Sequence, residues 1–293
     1  MVVPSSTDDF SISVIIPTYN RLSFLRKALI SVSQQTHSSL ETIVVDDGSD
    51  DQTIDILAQE FPDVCFLKQG NEGVSSARNL GIRKSKGKWI ALLDSDDQWL
   101  PEKTEKQINY HIQNPKVLAS HTGEKWIRKG NQVIPPAFLN KSREGIFERS
   151  LERCIICPSS VLLHRSIFQH IGCFDESLKI CEDYDFWLRL LLEFQLGLIE
   201  EALVEKHGGH SDQLSNSTWG LDRFRVQSLE KIQQLPNTPF PHQIKILETL
   251  LRKCELLHTG FLKHEKLEEA EIYHQKKHRA SELLENLKNP SNP

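Results

Sequence analysis

Short apolar runs alternate with stretches of helical periodicity in the N-terminal part of the sequence. The apolar runs are residues 11–16, 42–45, 64–67 and 89–93, and residues 22–32 repeat apolar side chains at helical spacing. Strands and helices that alternate in this way form right-handed β-α-β units, which assemble into a mostly parallel sheet. The alternation therefore predicts an α/β fold, and it limits the possible folds more than any other feature of the chain.

The sequence changes character after about residue 217. Glycine becomes scarce, and Leu, Lys, Glu and Gln predominate. This composition predicts three helices, near residues 219–235, 243–262 and 266–287. The last two resemble one helical hairpin of a tetratricopeptide array, but a single hairpin is not a repeat series, so we assign it no binding function.

Charge and hydropathy exclude several classes of protein. The net charge of -5 argues against nucleic acid as a partner, because such binding needs clustered Lys and Arg. No apolar run approaches the roughly 18 to 20 residues that span a bilayer, and residues 1–10 lack the features of a signal peptide. We therefore expect a cytoplasmic chain without a transmembrane segment, which leaves room for peripheral association with the inner face of the membrane. Its expected divisions are a disordered N-terminus (1–10), an α/β domain (11–215) and a helical C-terminal region (216–293).

The six cysteines are expected to be free thiols in that compartment. Cys154 and Cys157 have the CxxC spacing of some metal and redox sites, and Cys173 and Cys181 follow them. A zinc site usually has a second tight pair, and the gap between Cys173 and Cys181 is too wide for one. Buried free thiols are the better interpretation, with zinc or redox chemistry as the alternative.

Two acidic clusters directly follow predicted strands. Asp46-Asp47 follows residues 42–45, and the run 94–97 (Asp-Ser-Asp-Asp) follows residues 89–93. Open α/β sheets bind ligands at these strand ends, and carboxylates so close together repel one another unless a divalent cation or a bound sugar and base offsets their charge. Asp is also common in turns and helix caps, but three Asp in four residues exceed what a cap uses. No glycine-rich phosphate loop follows the first strand. If the chain binds a nucleotide, a cation must therefore hold its phosphates, and the carboxylates of the run 94–97 could bind that cation.

An ordered set of motifs resembles the family 2 glycosyltransferases, which have the GT-A fold. Each motif is weak alone, but the set spans residues 11–215 in the family's order. The resemblance implies a GT-A fold with a mostly parallel central sheet and a C-terminal helical appendage. The motifs are SVIIPTYN at 13–20, IVVDDGS at 43–49, GVSSARN at 73–79, LDSDD at 93–97, GCFDE at 172–176, EDYDFWLR at 182–189 and the segment 207–215.

The resemblance implies an inverting glycosyltransferase that uses a nucleotide-diphosphate sugar, expected to be UDP-linked. Its acceptor would be a hydroxyl of a saccharide or of a lipid-linked glycan, as in the synthesis of cell-surface polysaccharides. A divalent cation, Mn²⁺ or Mg²⁺, would stabilise the departing diphosphate, and such hard cations prefer oxygen ligands. Two alternatives stay open: a catalytically inactive nucleotide-sugar-binding protein, and a sugar nucleotidyltransferase.

The resemblance assigns donor contacts to matching positions near the first two strands. Tyr19 would lie against the nucleotide base, with Pro17 and Thr18 shaping the edge of its site. Asp47 would accept a hydrogen bond from the base, which suggests uracil or thymine. Arg78 would help to position the donor, and an ordinary surface cation is the alternative for it.

The same resemblance divides the run 94–97 among its carboxylates. Asp97 would ligate the metal, Asp96 would hold the ribose side and is a second candidate ligand, and Asp94 would support the loop. His207 and His210 would reach the diphosphate or the metal, with an ordinary surface loop as the alternative.

A third acidic group carries the expected general base. The acceptor hydroxyl loses its proton as it attacks, and a carboxylate on the face opposite the leaving group can take it. Asp183 matches the family's base by its position in the motif. Glu182 and Asp185 compete for that role, but both also suit the start of a helix, where carboxylates are favoured by the helix dipole.

Overall fold

The computed structural model describes residues 10–38, 40–136, 139–209 and 219–289. Within these ranges the chain forms a nine-stranded sheet that is covered by helices. The strands are β1 (Ile12–Thr18), β2 (Leu40–Asp46), β3 (Cys65–Lys68), β4 (Trp89–Leu92), β5 (Gln98–Trp99), β6 (Ala119–Arg128), β7 (Asn131–Val133), β8 (Leu162–His164) and β9 (Leu196–Gly208). The α-helices are α1 (Leu22–Ser33), α2 (Thr53–Glu60), α3 (Val74–Lys84), α4 (Lys103–Gln113), α5 (Ile146–Glu152), α6 (Ser166–Ile171), α7 (Glu182–Glu193), α8 (Asp222–Gln233), α9 (Phe240–Lys263) and α10 (Leu267–Lys288).

The sheet has a parallel half and a mixed half. Its strand order is β3-β2-β1-β4-β8-β6-β9-β5, with β7 paired to β6. Strands β1 to β4 are all parallel, which confirms the α/β fold that the alternation predicted. Beyond β4 the pairs of β8 with β4, of β8 with β6 and of β5 with β9 are antiparallel, while β6 and β9 are parallel. The parallel half brings the carboxyl ends of β1, β2 and β4 to one edge of the sheet.

The sheet is buried on both faces because helices pack on each side of it. All seven residues of β1 are buried, as expected for a central parallel strand. Ile15 belongs to the hydrophobic cluster formed with α3, α6 and α7, whereas Val14 belongs to the opposite cluster with α1 and α4. Successive residues of a strand point to opposite faces, so an unbroken apolar strand supplies both clusters.

Helix α7 joins the sheet to the C-terminal helices. Phe186 and Leu190 pack in the cluster under the sheet, whereas Tyr184 and Leu188 pack against α8 and α9 in a third cluster. The three helices predicted after residue 217 are present as α8, α9 and α10, with boundaries a few residues from those expected. The division at residue 216 stays a prediction.

The structure also describes the N-terminal end and the middle of the chain. Phe10, which the prediction placed in a disordered N-terminus, is fully buried, and its ring lies 5.3 Å from that of Trp89. Residues 1–9 lie outside the described part. The region 117–161 contains β6, β7 and α5. No described helix is both long and apolar enough to span a membrane.

The first residue of α4 is a lysine that is buried against the sheet. Lys103 is fully buried, and its Nζ donates a hydrogen bond to Oε1 of Gln107 at 2.8 Å and lies 4.0 Å from the ring centroid of Trp99. Burial disfavours the charged ammonium and lowers the pKa of Lys103 from 10.5 to about 7. The folded chain therefore binds this proton less tightly than the unfolded chain does.

The substitution Lys103→Met should change how stability depends on pH. Between pH 7 and 10.5 the Lys103 side chain keeps its proton in the unfolded chain and loses it in the folded chain. As the pH rises through this range, Lys103 therefore increases the wild-type free energy of unfolding by up to about 1.4 kcal/mol per pH unit. Below that window it adds no pH dependence. The variant's free energy of unfolding, relative to wild type, should therefore fall as the pH rises from 7 to 10 in urea denaturation.

Lys106→Met is the matched control, since Lys106 lies on the same helix and is partly exposed. Its unfolding free energy relative to wild type should show no such decline across this range. Parallel pH profiles for wild type and Lys103→Met would contradict the prediction.

Candidate active site

A cavity of about 260 Å³ lies at the carboxyl ends of β1 and β4. It brings the run 94–97 and Asp183 together, although they are far apart in the sequence. Thr18, Tyr19 and Asp47 are not among its lining residues, and His210 lies outside the described residues. The predicted site residues in the lining are Pro17, Arg78, Asp94, Asp96, Asp97, Asp183 and His207.

Asp97 is the most deeply buried carboxylate of this loop, with 2% of its surface exposed. Its Oδ2 accepts a hydrogen bond from Oγ of Ser159 at 2.6 Å, and its Oδ1 accepts one from the backbone N–H of His207 at 3.0 Å. Burial and the neighbouring carboxylates of Asp96 and Asp94 raise the pKa of Asp97 well above its usual value. The negatively charged form of Asp97 is therefore less favourable here than in water.

Arg78 links two acidic segments of the cavity wall. The sequence left open whether it is a surface cation, but only 3% of it is exposed. Its Nη2 contacts Oδ1 of Asp94 at 2.7 Å, and its Nη1 contacts Oε1 of Glu182 at 2.6 Å. Burial lowers the pKa of Arg78, but the two carboxylates outweigh burial and raise it, so the guanidinium stays charged. The surface alternative is thereby wrong.

The three acidic residues at the start of α7 have different surroundings. Asp185 is buried against Arg189 at 2.8 Å and does not line the cavity. Glu182 is paired with Arg78, yet burial and the adjacent Asp183 raise the pKa of Glu182 to about 7 against the effect of that arginine. Asp183 is partly exposed and lines the cavity.

The Asp183 carboxylate is fixed at both oxygens. Its Oδ1 accepts a hydrogen bond from the backbone N–H of Tyr184 at 2.7 Å, and its Oδ2 accepts one from Sγ of Cys154 at 3.1 Å. Asp183 also lines a second cavity, of about 290 Å³, on the side of β6. It therefore lies where the two cavities meet, together with Cys154 and Lys206.

Asp47 anchors the start of α3. Its Oδ1 accepts hydrogen bonds from Nε2 of Gln69 and the backbone N–H of Glu72, both at 2.8 Å, and its Oδ2 accepts one from the backbone N–H of Gly73 at 2.9 Å. A carboxylate at this position also interacts favourably with the helix dipole. At the end of the neighbouring strand β1, Tyr19 is 45% exposed, whereas Thr18 is buried.

Several lining residues were not predicted from the sequence. Arg21 forms an ion pair with Asp96 at 3.1 Å, and its place directly after the first motif could have suggested it. Lys206 lies directly before the segment 207–215, and that place could have suggested it. Ser159 donates a hydrogen bond to Asp97 without lining the cavity, and no sequence signal marked it. His207 was predicted, but its contact with Asp97 is through the backbone. Burial lowers the pKa of the His207 imidazole below its usual value.

The carboxylates present fit a divalent cation only in part. Asp94, Asp96 and Asp97 offer hard oxygen ligands at one strand end, and burial together with the two neighbouring carboxylates raises the pKa of Asp97. Within the described ranges, no group of three or more His, Cys, Asp or Glu side chains is arranged to hold a metal alone. A cation here would therefore need further ligands from a bound substrate or water.

Comparison with known proteins gives a family match and several relatives. Residues 13–172 match the family model described as glycosyl transferase family 2. A Rickettsia prowazekii protein named as an uncharacterized glycosyltransferase is 35% identical over 211 residues, which cover 70% of this chain and 66% of that relative. A Bacillus subtilis protein named for a glycosyltransferase of teichuronic acid biosynthesis is 31% identical over 236 residues, covering 78% of this chain and 91% of the relative. In a Rickettsia felis relative the match spans only 42% of the relative's length.

Two solved structures show the same architecture at low sequence identity. The S. aureus TarS complex with UDP-GlcNAc aligns with a TM-score of 0.63 and 17% identity, covering 92% of each chain. The Pyrobaculum calidifontis mannosyltransferase PcManGT, in complex with GDP-Man and Mn²⁺, aligns with a TM-score of 0.62 and 16% identity, covering 93% of this chain and 84% of that one. The fold is therefore the GT-A fold that the sequence motifs predicted.

Replacing Arg78 by Met should destabilise the protein strongly. The change leaves Asp94 and Glu182 without their shared cation, and removing one partner of a buried ion pair costs about 3 to 5 kcal/mol. Arg83→Met is the control, because Arg83 lies on the same helix and its side chain is 57% exposed. Its Nη1 lies 3.8 Å from Oε1 of Glu176, which is longer than either contact of Arg78. Arg83→Met should change stability by no more than about 0.5 kcal/mol. Equal unfolding free energies for the two variants in urea denaturation would contradict the bridging role of Arg78.

Proposed function

The chain belongs to glycosyl transferase family 2, and we propose that it transfers a sugar from a nucleotide-diphosphate donor to an acceptor hydroxyl with inversion. The observation that carries this proposal is the convergence of the run 94–97 and Asp183 on one cavity. Because the chain matches only part of several longer relatives, its substrates are proposed from its own site. The structural neighbours hold a UDP-sugar and a GDP-sugar, and for this chain we retain the expectation of a UDP-linked donor.

The donor's diphosphate would lie against the run 94–97. Asp97 and Asp96 would hold Mn²⁺ or Mg²⁺, and such cations commonly take one or two carboxylates and complete their coordination with substrate phosphates and water. This matches a loop that is rich in carboxylates but forms no complete ligand set among the described residues. When bound, the cation would neutralise charge on the departing diphosphate. His207 lines the same cavity and is the proposed further diphosphate contact.

The nucleoside would extend towards the ends of β1 and β2. Tyr19 is exposed enough to stack on a base, and Pro17 lines the cavity beside it. Thr18 would shape the same edge. Asp47 already accepts three hydrogen bonds, and a carboxylate offers about four acceptor positions, so one stays available for a ring N–H of the base. We therefore propose that Asp47 both anchors α3 and reads the base.

Asp183 would act as the general base on the acceptor. The acceptor hydroxyl would enter from the second cavity and attack the anomeric carbon of the donor in the first. As the new C–O bond forms and the bond to the diphosphate breaks, the hydroxyl proton passes to the Asp183 carboxylate. Direct displacement of this kind inverts the anomeric centre. The position of Asp183 between the two cavities supports this assignment over Asp185, which faces neither cavity.

The acceptor is proposed to be a saccharide or a lipid-linked glycan. The second cavity is lined by Trp126, Glu124 and Lys141, which offer an aromatic surface, an acceptor and a donor of hydrogen bonds for a polyol. One relative is named for a glycosyltransferase of teichuronic acid biosynthesis, which supports the same class of acceptor. A cytoplasmic location at the inner face of the membrane stays a prediction.

The substitution Asp183→Asn should abolish transfer and leave donor binding intact. The amide keeps the shape of the side chain but cannot take a proton, and loss of a general base costs about 10²- to 10⁴-fold in rate. We expect kcat for transfer to fall by at least about 100-fold, with a thermal shift on donor binding close to that of wild type.

Asp185→Asn provides the matched control, since it makes the same chemical change on the same helix and should retain most of the transfer activity. Transfer at the wild-type rate by Asp183→Asn would exclude it as the base. Loss of the donor-induced thermal shift in that variant would instead indicate a role in donor binding.

A further inference from the structure

The CxxC segment contacts both of the central carboxylates. Sγ of Cys154 donates to Oδ2 of Asp183 at 3.1 Å, and Sγ of Cys157 lies 3.8 Å from Oδ2 of Asp97. The six cysteines are free, so neither thiol is consumed in a disulfide. The Cys154-to-Cys157 segment therefore lies beside the candidate active site. The sequence had allowed two interpretations of it, buried free thiols or a metal or redox site.

The two thiols are protonated hydrogen-bond donors in this setting. Burial raises the pKa of the Cys154 thiol well above its usual value, and the adjacent Asp183 raises it further. Burial likewise raises the pKa of the Cys157 thiol, which lies near Lys206 and Asp97. A metal ligand or a redox nucleophile needs the thiolate. Both cysteines therefore carry the S–H group that a carboxylate can accept from.

The hydrogen bond from Cys154 restricts the orientation of the Asp183 carboxylate. Rotation about the last bond of an Asp side chain is soft, so one hydrogen bond leaves the plane of the carboxylate loosely defined. The Tyr184 N–H holds Oδ1, and the Cys154 S–H holds Oδ2. Cys154 Sγ also lies 3.5 Å from the carbonyl oxygen of Ile156, but the nearer, charged carboxylate is the stronger acceptor.

We propose that Cys154 is a positioning residue that orients the Asp183 carboxylate towards the acceptor hydroxyl. The proposal rests on the proposed role of Asp183 as general base. Cys154 lines both cavities beside Asp183, so a shift of this thiol moves the carboxylate at the point where donor and acceptor would meet. Small displacements of a reacting group are costly, since about 1 Å of misplacement can cost on the order of 100-fold in rate.

Two substitutions of Cys154 distinguish a role in orienting Asp183 from a role in packing alone. Cys154→Ala removes the donor and should lower kcat for transfer about tenfold, which corresponds to about 1.4 kcal/mol, with the donor KM unchanged. Cys154→Ser keeps an O–H donor of similar size and should restore kcat to within about threefold of wild type. Cys173→Ala is the control, because Cys173 is partly buried and lines neither cavity. All assays would contain a thiol reductant.

A double-mutant cycle with Asp183→Asn tests whether Cys154 acts through Asp183. If it does, Cys154→Ala should cause no further loss of the residual transfer in the Asp183→Asn background. A full additional tenfold loss in that background would overturn the positioning role, as would wild-type kcat for Cys154→Ala or failure of Cys154→Ser to restore it. Wild-type transfer by Asp183→Asn would overturn the proposed function itself, so the two failures are distinguishable.

Discussion

A buried guanidinium holds the two acidic segments of this site together. Arg78 lies between Asp94, at the end of the parallel strand β4, and Glu182, at the start of α7. Without it, the buried carboxylate of Glu182 and the partly exposed carboxylate of Asp94 would lose the cation that they share, and like charges in a poorly solvated site repel strongly. The relative position of the loop 94–97 and Asp183 therefore depends on one cation that comes from a third element, α3.

The remaining charge of the site is offset unevenly. Asp96 is paired with Arg21, and Asp94 with Arg78, whereas Asp97 accepts hydrogen bonds from the Ser159 hydroxyl and from the backbone N–H of His207. Burial and the neighbouring carboxylates of Asp96 and Asp94 raise the pKa of Asp97. In the proposed function, a divalent cation and the donor's diphosphate would bind this site together, since each offsets the charge of the other. Binding of metal and donor would then be mutually dependent.

The sequence predicted those features that depend on neighbouring residues. The parallel strands β1 to β4 followed from hydrophobic patterns, the helices α8 to α10 followed from composition, and the roles expected for the run 94–97 and Asp183 followed from the family resemblance. The features that it did not predict depend on contacts between distant segments. The burial of Arg78, the three hydrogen bonds that Asp47 accepts and the contact of Cys154 with Asp183 each require the tertiary fold. The pairing in the mixed half of the sheet was not predicted, because it joins strands that are distant in the sequence and because β5, β7 and β8 are only two or three residues long.

Release of nucleoside diphosphate tests nucleotide-sugar transfer most directly. The metal-stripped protein would be incubated with UDP-sugars and GDP-mannose, with Mn²⁺ or with EDTA, in the presence and absence of saccharide acceptors. The predicted result is release of the nucleoside diphosphate from one donor, dependent on the metal and increased by an acceptor. Pyrophosphate release from a nucleoside triphosphate and a sugar phosphate, or tight nucleotide binding without release from any donor, would contradict transfer.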